Sequence, residues 1–513
     1  MKNNFDVVII GAGISGLMAG VLLAKRSKKV LILESHTEIG GYLSGFTRKG
    51  YYFDVGLSRS NISYLEPYFR EAGIINDIHF VKIDGDYYVK GKYIPSNLKD
   101  FFHAVADMFP DQKKGVLSFY AKEIVPREKK MKTMIYSDFK SMGKIRKYFT
   151  ILKIFAMMPG MSRENASKQN ENDILKKYVD ERSEAFAFLC TRPDQINHRG
   201  YMKMYNFVGR MLSQLYNYYP RDGYLHLCNQ MKRVFTENKG ELITNAKATK
   251  ILIENNVAAG VEYRNKSQVE KVMAGYVIAA VDLNKTLREL IAVALVPPAE
   301  MRKLQGSVLG SSVPILFLGV KIPSERIRQV FNGKQEVWYY PTIKKLDADP
   351  NDINFFADCN MVIHCSSQVN PGHAPNGCSN LQIYLPCPPV GWQQDWWLVN
   401  GQRTEKYRLL KKKIIEGLLS SLEKIIPEMK DRTIIEVCEL GTPFTNERYT
   451  GNTHGMAVGY NYDKYLLTTS TRNYFYHLEN ISNLFFIGHQ TGIRGGLGTA
   501  LGSAKNVTNI ICK

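Results

Sequence analysis

The strongest constraint on this fold lies in the first thirty-five residues. Phe5–Ile10 is an apolar run rich in β-branched residues. Gly11-Ala12-Gly13-Ile14-Ser15-Gly16 follows at once, and Leu17–Lys25 has helical spacing. Lys29-Val30-Leu31-Ile32-Leu33-Glu34 then reads as a second buried strand, ending in a carboxylate eighteen residues after Gly16. A strand, a tight glycine turn, a helix and an acid-tipped strand make up a dinucleotide-binding βαβ unit. Gly11 permits the turn, Gly13 lets the backbone approach a pyrophosphate, and Gly16 lets the helix pack closely on the strand. The helix N-terminus, at Ile14 and Ser15, offers unpaired N–H groups to the phosphates. Glu34, with Ser35 beside it, can accept hydrogen bonds from an adenosine ribose and disfavours a 2′-phosphate.

The next residues are Ile39-Gly40-Gly41, then Phe46–Arg48, Gly50 and Phe53-Asp54-Val55-Gly56. This stretch resembles the extended dinucleotide motif of the flavoproteins that include amine oxidases, phytoene desaturases, carotenoid isomerases and retinol saturases. In that family the Gly40-Gly41 backbone would lie against the flavin pyrophosphate and ribityl chain, so the resemblance implies FAD as cofactor. The C-terminal stretch Asn483–Gly488, with Gly492, Gly495, Gly496 and Gly498 and then the small-residue helix Thr499–Val507, resembles the family's terminal flavin-binding segment. Gly488, His489, Gly496, Leu497, Gly498 and Thr499 are the implied contacts, with a helix N-terminus directed at the flavin pyrimidine ring. The family often has an acid after the strand-ending glycine, where this chain has His489.

Between the ends, Gly240–Lys250 followed by Ile251–Glu262 contains two strands with alternating and β-branched residues that flank an Asn255-Asn256 turn. Family likeness would set the adenine near Ala248. Glu439–Pro443, Glu447-Arg448-Tyr449 and Gly455–Tyr460 resemble segments of the phytoene desaturase, carotenoid isomerase and retinol saturase group. The implied architecture is α/β: a Rossmann-like FAD-binding domain of the GR2 type with an interleaved α+β substrate domain of mixed sheet and helices. The expected division gives residues 1–75, 216–295 and 471–513 to FAD binding, 76–215 to a helical substrate or membrane-associating region, and 296–470 to the sheet and helices of the substrate domain. A chain of 513 residues is long enough for such a division.

The chemistry expected from the resemblance is FAD-dependent oxidation, reduction or isomerisation at carbon–carbon bonds of a long lipophilic substrate: a carotenoid, retinoid, isoprenoid or unsaturated fatty acyl chain. Amine oxidation and a non-catalytic lipid-binding chaperone of the same fold stay open as alternatives. His489, Arg494, Arg448 and Tyr460 are the candidate catalytic residues. The resemblance implies that flavin N5 is the reactive atom, so the protein need supply mainly orientation and water exclusion. The sequence has no Ser-His-Asp pattern, Walker loop or metal-ligand spacing. No second dinucleotide motif is evident, so an external electron donor or acceptor is expected.

The net charge of +20 creates a positive surface field. Without zinc-finger spacing, RNA-recognition signatures or basic-zipper heptads, nucleic acid is not the expected partner. Residues 122–153 are strongly basic, and Lys144–Met158 has the spacing of a basic amphipathic helix suited to an anionic membrane surface. The eight scattered cysteines contain no C-x-x-C pair and read as reduced thiols. No signal peptide and no spanning segment are expected, which favours the cytoplasm, with peripheral attachment to the inner face of the membrane as an extension of that reading.

Overall fold

Hydrogen bonds to one long strand organise the first sheet. The computed structural model describes residues 2–135, 171–190, 208, 217–306, 308–309, 312–343, 359–385, 398–399, 402–457, 459–461, 477–492 and 496–513. Its opening unit is β1 (Lys2–Ile10), α1 (Ile14–Ala24) and β2 (Val30–Leu33). Val7–Ile10 and Val30–Leu33 are buried throughout, as continuous apolar strands of a parallel sheet covered on both faces must be. The sheet continues with β3 (Glu241–Ile243), β4 (Ala246–Glu254), β5 (Val257–Asn265), β6 (Gln268–Ala279) and β7 (Leu484–Phe486). Its order is β3-β2-β1-β6-β5-β4, and β7 also pairs with β6.

β6 is parallel to β1 along one edge. On the other it is antiparallel to β5 through its first half and parallel to β7 through Val277–Ala279. The β4–β5 hairpin turns at Asn255 and Asn256, whose φ values of 48° and 63° suit the mirror-image turn that matches strand twist. Two helices cover one face with α1: α2 (Tyr224–Glu237) and α3 (Gly496–Ile511). Leu17 and Val21 of α1 share a core with Ala500, Leu501, Ala504 and Val507 of α3 and with Leu227, Met231 and Phe235 of α2.

A second sheet of seven strands runs, in spatial order, Ile435–Gly441, Ile315–Val320, Ser379–Tyr384, Met361–His364, Glu336–Tyr340, Gly85–Val89 and Lys92–Ile94. One face packs on the helix Glu405–Leu422 through Leu316, Leu318, Ile363, Leu381, Ile383 and Leu418. The other carries Phe317, Trp338, Tyr340 and Tyr384 into an aromatic core shared with Tyr51, Phe53 and Phe101. Residues 80–94, placed by the sequence in a helical region, instead form three strands, Phe80–Lys82, Gly85–Val89 and Lys92–Ile94. The second of these pairs in parallel with Glu336–Tyr340. The expected helices follow from Leu98 onward, and the amphipathic segment 144–158 lies outside the described residues.

The two sheets meet at Asp54, which ends the strand Tyr51–Asp54. Its buried carboxylate accepts from the Tyr52 hydroxyl (2.8 Å), the Tyr219 hydroxyl (2.5 Å) and the Tyr224 amide (2.9 Å), while its carbonyl accepts from Gln382 Nε2 (2.6 Å). Burial pushes the carboxyl up to about 6, against the three hydrogen bonds, which lower it. A raised folded-state pKa means that the neutral acid is the stabilised form. The associated stability is complete below pH 3.8 and is lost as pH rises through about 6, to the extent of about 3 kcal/mol. Asp54→Asn keeps one of the two acceptor oxygens and cannot ionise, so whatever constant cost the lost acceptor carries, its stability relative to wild type should improve by about 2–3 kcal/mol between pH 4 and pH 7.5. Thermal unfolding across that range checks this, and a pH-independent difference would refute it.

Candidate functional site

The glycines of the first loop occupy three different steric environments. Gly11 has φ +99°, and a Cβ there would stand 2.8 Å from Val281 Cγ1 and 3.0 Å from the Ala280 carbonyl oxygen. At Gly16 a Cβ would meet the Gly11 carbonyl oxygen at 2.0 Å, so α1 can approach β1 this closely only with glycine. At Gly13 nothing lies within 4 Å. That open side adjoins the N-terminus of α1, where the amides of Ile14, Ser15 and Gly16 precede the first intrahelical donor, Leu17.

The Gly40-Gly41 pair is fastened to this loop. Gly40 N donates to the Ala12 carbonyl at 2.9 Å, and a Cβ on Gly41 would stand 3.5 Å from Gly13 Cα. Glu34 has a second use that the sequence did not disclose. Its Oε2 accepts from the Ala12 amide at 2.8 Å, and its Oε1 accepts from His36 N at 2.9 Å and Ser35 Oγ at 3.1 Å. A carboxylate has about four acceptor sites. Three protein donors orient the group and leave capacity for one more. The Ala246 amide donates to the Glu34 carbonyl at 2.7 Å, which sets Ala248, two residues along β4, beside the same turn.

The C-terminal loop arrives at the same place. At Gly488, which follows β7 with φ +126°, a Cβ would stand 3.7 Å from Ser15 Oγ, and the Gly488 amide donates to Ser503 Oγ at 2.9 Å. α3 begins at Gly496, and among the described residues nothing beyond the glycine's own chain neighbours and helix backbone lies within 4 Å of a Cβ position at Gly496 or Gly498. The amides of Gly496, Leu497 and Gly498 precede the first intrahelical donor, Thr499, and so have no intrahelical partners. Two helix N-termini thus border one depression with backbone walls, which fits a dinucleotide: its phosphates and carbonyls need N–H donors and room that side chains would fill.

A buried carboxylate locks this arrangement. Asp282, just beyond β6, accepts from Thr453 N (2.7 Å), Thr453 Oγ1 (2.8 Å), Lys285 N (2.8 Å) and Gln490 Nε2 (2.9 Å). Gln490 in turn accepts from Leu283 N at 2.7 Å. The loop that carries His489 is therefore tied to β6 and to residues 452–453. The His489 ring meets Tyr42 edge-on at 6.4 Å, its Nε2 has no hydrogen-bond partner among the described residues, and burial pushes the imidazole down to about 4. It is a neutral polar group on the depression.

The other catalytic candidates fare differently. Arg448 is exposed on the helix Pro443–Thr450, with its guanidinium 5.8 Å over the Tyr449 ring, so it does not belong to an enclosed reaction site. The Glu-Arg-Tyr pattern shows no helix phase relative to the core, so its exposure could not be read from the sequence. Tyr460 opens the short strand Tyr460–Asn461, and its side chain lies outside the described residues, as does Arg494. Sequence reading also missed Gln490, whose neighbours in the chain give no hint of its partner 208 residues away.

The model of the flavin-containing amine oxidoreductases matches residues 14–512, nearly the whole chain. The chain belongs to that family. It is a flavin-dependent oxidoreductase with the α/β flavin-binding fold. It is 23% identical over 529 residues to a 1-hydroxycarotenoid 3,4-desaturase from Flavobacterium sp. (strain P99-3), covering 98% of each chain. To the all-trans-retinol 13,14-reductase of Danio rerio it is 22% identical, covering 98% of this chain and 85% of that one. An oxidoreductase from Methanosarcina mazei of known structure superposes with a TM-score of 0.59 at 15% identity, covering 98% and 99% of the two chains, a likeness of fold alone.

Adding a methyl group separates the two glycine roles. Gly16→Ala should cost about 2 kcal/mol or more through its clash with the Gly11 carbonyl, and Gly13→Ala less than about 1 kcal/mol. Chemical unfolding of both variants measures the contrast, and equal losses would contradict it.

Proposed function

We propose that this chain moves hydride to or from a carbon–carbon bond of a long lipophilic molecule such as a carotenoid, retinoid, isoprenoid or unsaturated acyl chain, with FAD held in the depression between its two glycine loops. The observation that carries the reading is the approach of Gly488 to Ser15, which joins segments from opposite ends of the chain around the open faces of Gly13, Gly496 and Gly498. In this assignment Gly11, Gly13, Ile14, Ser15 and Gly16 hold the pyrophosphate, Glu34 and Ser35 the ribose, and Ala248 the adenine edge. Gly40, Gly41, Gly488 and His489 border the ribityl chain. The N-terminus of α3, from Gly496 to Thr499, faces the pyrimidine end.

When bound, the flavin supplies N5 as the hydride donor or acceptor. The protein's own contribution is electrostatic and steric. The amides of Gly496–Gly498, ahead of the first intrahelical donor, offer a positive dipole end where negative charge collects, without a side-chain cation. The fixed loop 488–490 and the aromatic face of the second sheet exclude water. The choice of substrate class is supported by the relatives, one named for introducing a double bond and the other for reducing one. Either direction calls for an apolar cavity beside the flavin and for an electron partner outside the chain.

The reading extends to a cytoplasmic protein that touches the inner face of an anionic membrane. It is supported by the charge of +20 and by exposed Lys122, Lys129 and Lys130 on the segment leading to residues 136–158. No helix among the described residues is long and apolar enough to cross a membrane.

Purified protein should show flavin absorbance, or acquire it on reconstitution, and anaerobic addition of the right polyene or reductant should bleach it. Gly13→Val, which fills the open face, should weaken flavin binding by about tenfold or more without loss of the folded state. A protein that cannot be loaded with flavin would sink the assignment.

A further inference from the structure

Four polar side chains that the flavin cradle does not use stand together on the second sheet. Glu336, His364 and Gln382 lie on three adjacent strands in register, Glu336 opposite His364 and His364 opposite Gln382. They form one row on one face, and are 0%, 0% and 1% exposed. Arg59 reaches this row from the other side. Its segment leaves the cradle at Val55, whose amide donates to the Ser44 carbonyl at 3.1 Å, close behind the Gly40-Gly41 pair. The Arg59 guanidinium pairs with Glu336 Oε1 and lies 5.0 Å over the Trp338 ring, and the Trp338 indole N–H donates to the same oxygen at 2.7 Å.

The row is not saturated. Gln382 uses its amide nitrogen on the Asp54 carbonyl (2.6 Å) and the Tyr384 hydroxyl (3.0 Å). Among the described residues, Glu336 Oε2, both ring nitrogens of His364 and Gln382 Oε1 have no hydrogen-bond partner, and His364 Nδ1 stops 3.7 Å short of Glu336 Oε2. Each such atom costs about 1–3 kcal/mol. A folded core would gain by replacing the row with apolar residues, unless the row has a use.

Its surroundings suggest one. Strand alternation puts Trp338, Tyr340, Phe317 and Tyr384 on the same face, so the row is the polar end of an aromatic surface shared with Tyr51 and Phe53, on the segment that follows the Gly40-Gly41 pair. Charge narrows the ligand. The Arg59 cation is matched by the Glu336 carboxylate, burial holds the His364 imidazole neutral by pushing it down to about 3, and Gln382 carries no charge. With a net charge of zero, nothing in the row offsets the desolvation of a carboxylate or an amine. Its donors and acceptors suit a hydroxyl or carbonyl.

We propose that Arg59, Glu336, His364 and Gln382 form an end-group site, which receives the hydroxyl or carbonyl terminus of an otherwise apolar substrate through Arg59 and selects oxygenated lipids over hydrocarbons. Arg59, with its side chain 15% exposed, is the member a ligand meets first. The proposal rests on the reading of the chain as an enzyme of lipophilic substrates.

Tryptophan-fluorescence titrations of the flavin-loaded protein test it, with three ligands of one polyene skeleton: all-trans-retinol, all-trans-retinoic acid, and the hydrocarbon in which hydrogen replaces the hydroxyl. Wild type should bind the alcohol about tenfold or more tightly than the hydrocarbon. Arg59→Met should bring the two within about twofold. Glu336→Gln, which leaves the guanidinium uncompensated, should turn the preference toward the acid. Equal binding of alcohol and hydrocarbon by wild type, binding of none of the three, or a preference that survives in flavin-replete Arg59→Met would each overturn the end-group site. Lipid-dependent bleaching that persists in such a case would leave the proposed reaction standing, whereas protein that takes up no flavin would defeat that reaction instead.

Discussion

The ladder along β6 is the interaction on which the rest of the molecule depends. By pairing with β1 on one edge and β7 on the other, Gln268–Ala279 holds residues 2–10 and 484–486 two strands apart. Parallel strands need a crossover, and here the crossover from β6 to β7 contains the whole second sheet apart from its first two strands. The three parallel strands deliver their C-terminal ends to one edge of the sheet, and that edge is where the Gly11–Gly16 loop, the Asp282 turn and the Gly488–Gln490 loop converge. Asp282 then makes the convergence rigid. It binds amides or side chains from three separate segments with one carboxylate, so a shift of any one segment strands a buried charge.

The second sheet is held to the strand Tyr51–Asp54 by polar as well as apolar contacts. Gln382 Nε2 donates to the Asp54 carbonyl and Asn380 Nδ2 to the Tyr52 carbonyl, beside the aromatic core that Tyr51 and Phe53 share with Phe317. A polar seam is satisfied in only one alignment, because each donor must find its own acceptor. The strand Tyr51–Asp54 thereby fixes the aromatic face of the second sheet relative to the segment that carries Gly40 and Gly41.

What the sequence disclosed and what it withheld follow from the range of the forces involved. Gly11 and Gly16 were legible because the positive φ of the turn at Gly11 and the contact of Gly16 with the Gly11 carbonyl are set within six residues of chain, and the Asn255-Asn256 turn because positive φ at both positions is a local demand. The strands between 80 and 94 were hidden: Gly85–Val89 is a strand because it pairs with Glu336–Tyr340, some 250 residues on, and nothing in its own Tyr-rich pattern specifies that partner. Arg448 was chosen by its place in a motif, yet its exposure depends on how one helix is rotated against the sheet. The Glu336, His364 and Gln382 row comes from three short strands whose register alone aligns them. Composition and spacing carry no trace of such an alignment.

Burial acts on the ionisable groups of the interior in one consistent sense. It pushes Asp54 up to about 6 and His364, His373 and His489 down to about 3 or 4, opposite directions that both favour the uncharged form. Charges that remain inside are matched, Arg59 by Glu336, or dispersed over several backbone donors, as at Asp282 and Glu34. Water gains little in such an interior. Charge that develops on a bound flavin would meet the fixed dipoles of α1 and α3, which need no reorganisation. The same desolvation makes these histidines poor acids and bases, so in a flavin-dependent oxidoreductase the reactivity has to come from the cofactor, while the protein provides an aligned and nearly neutral setting for it.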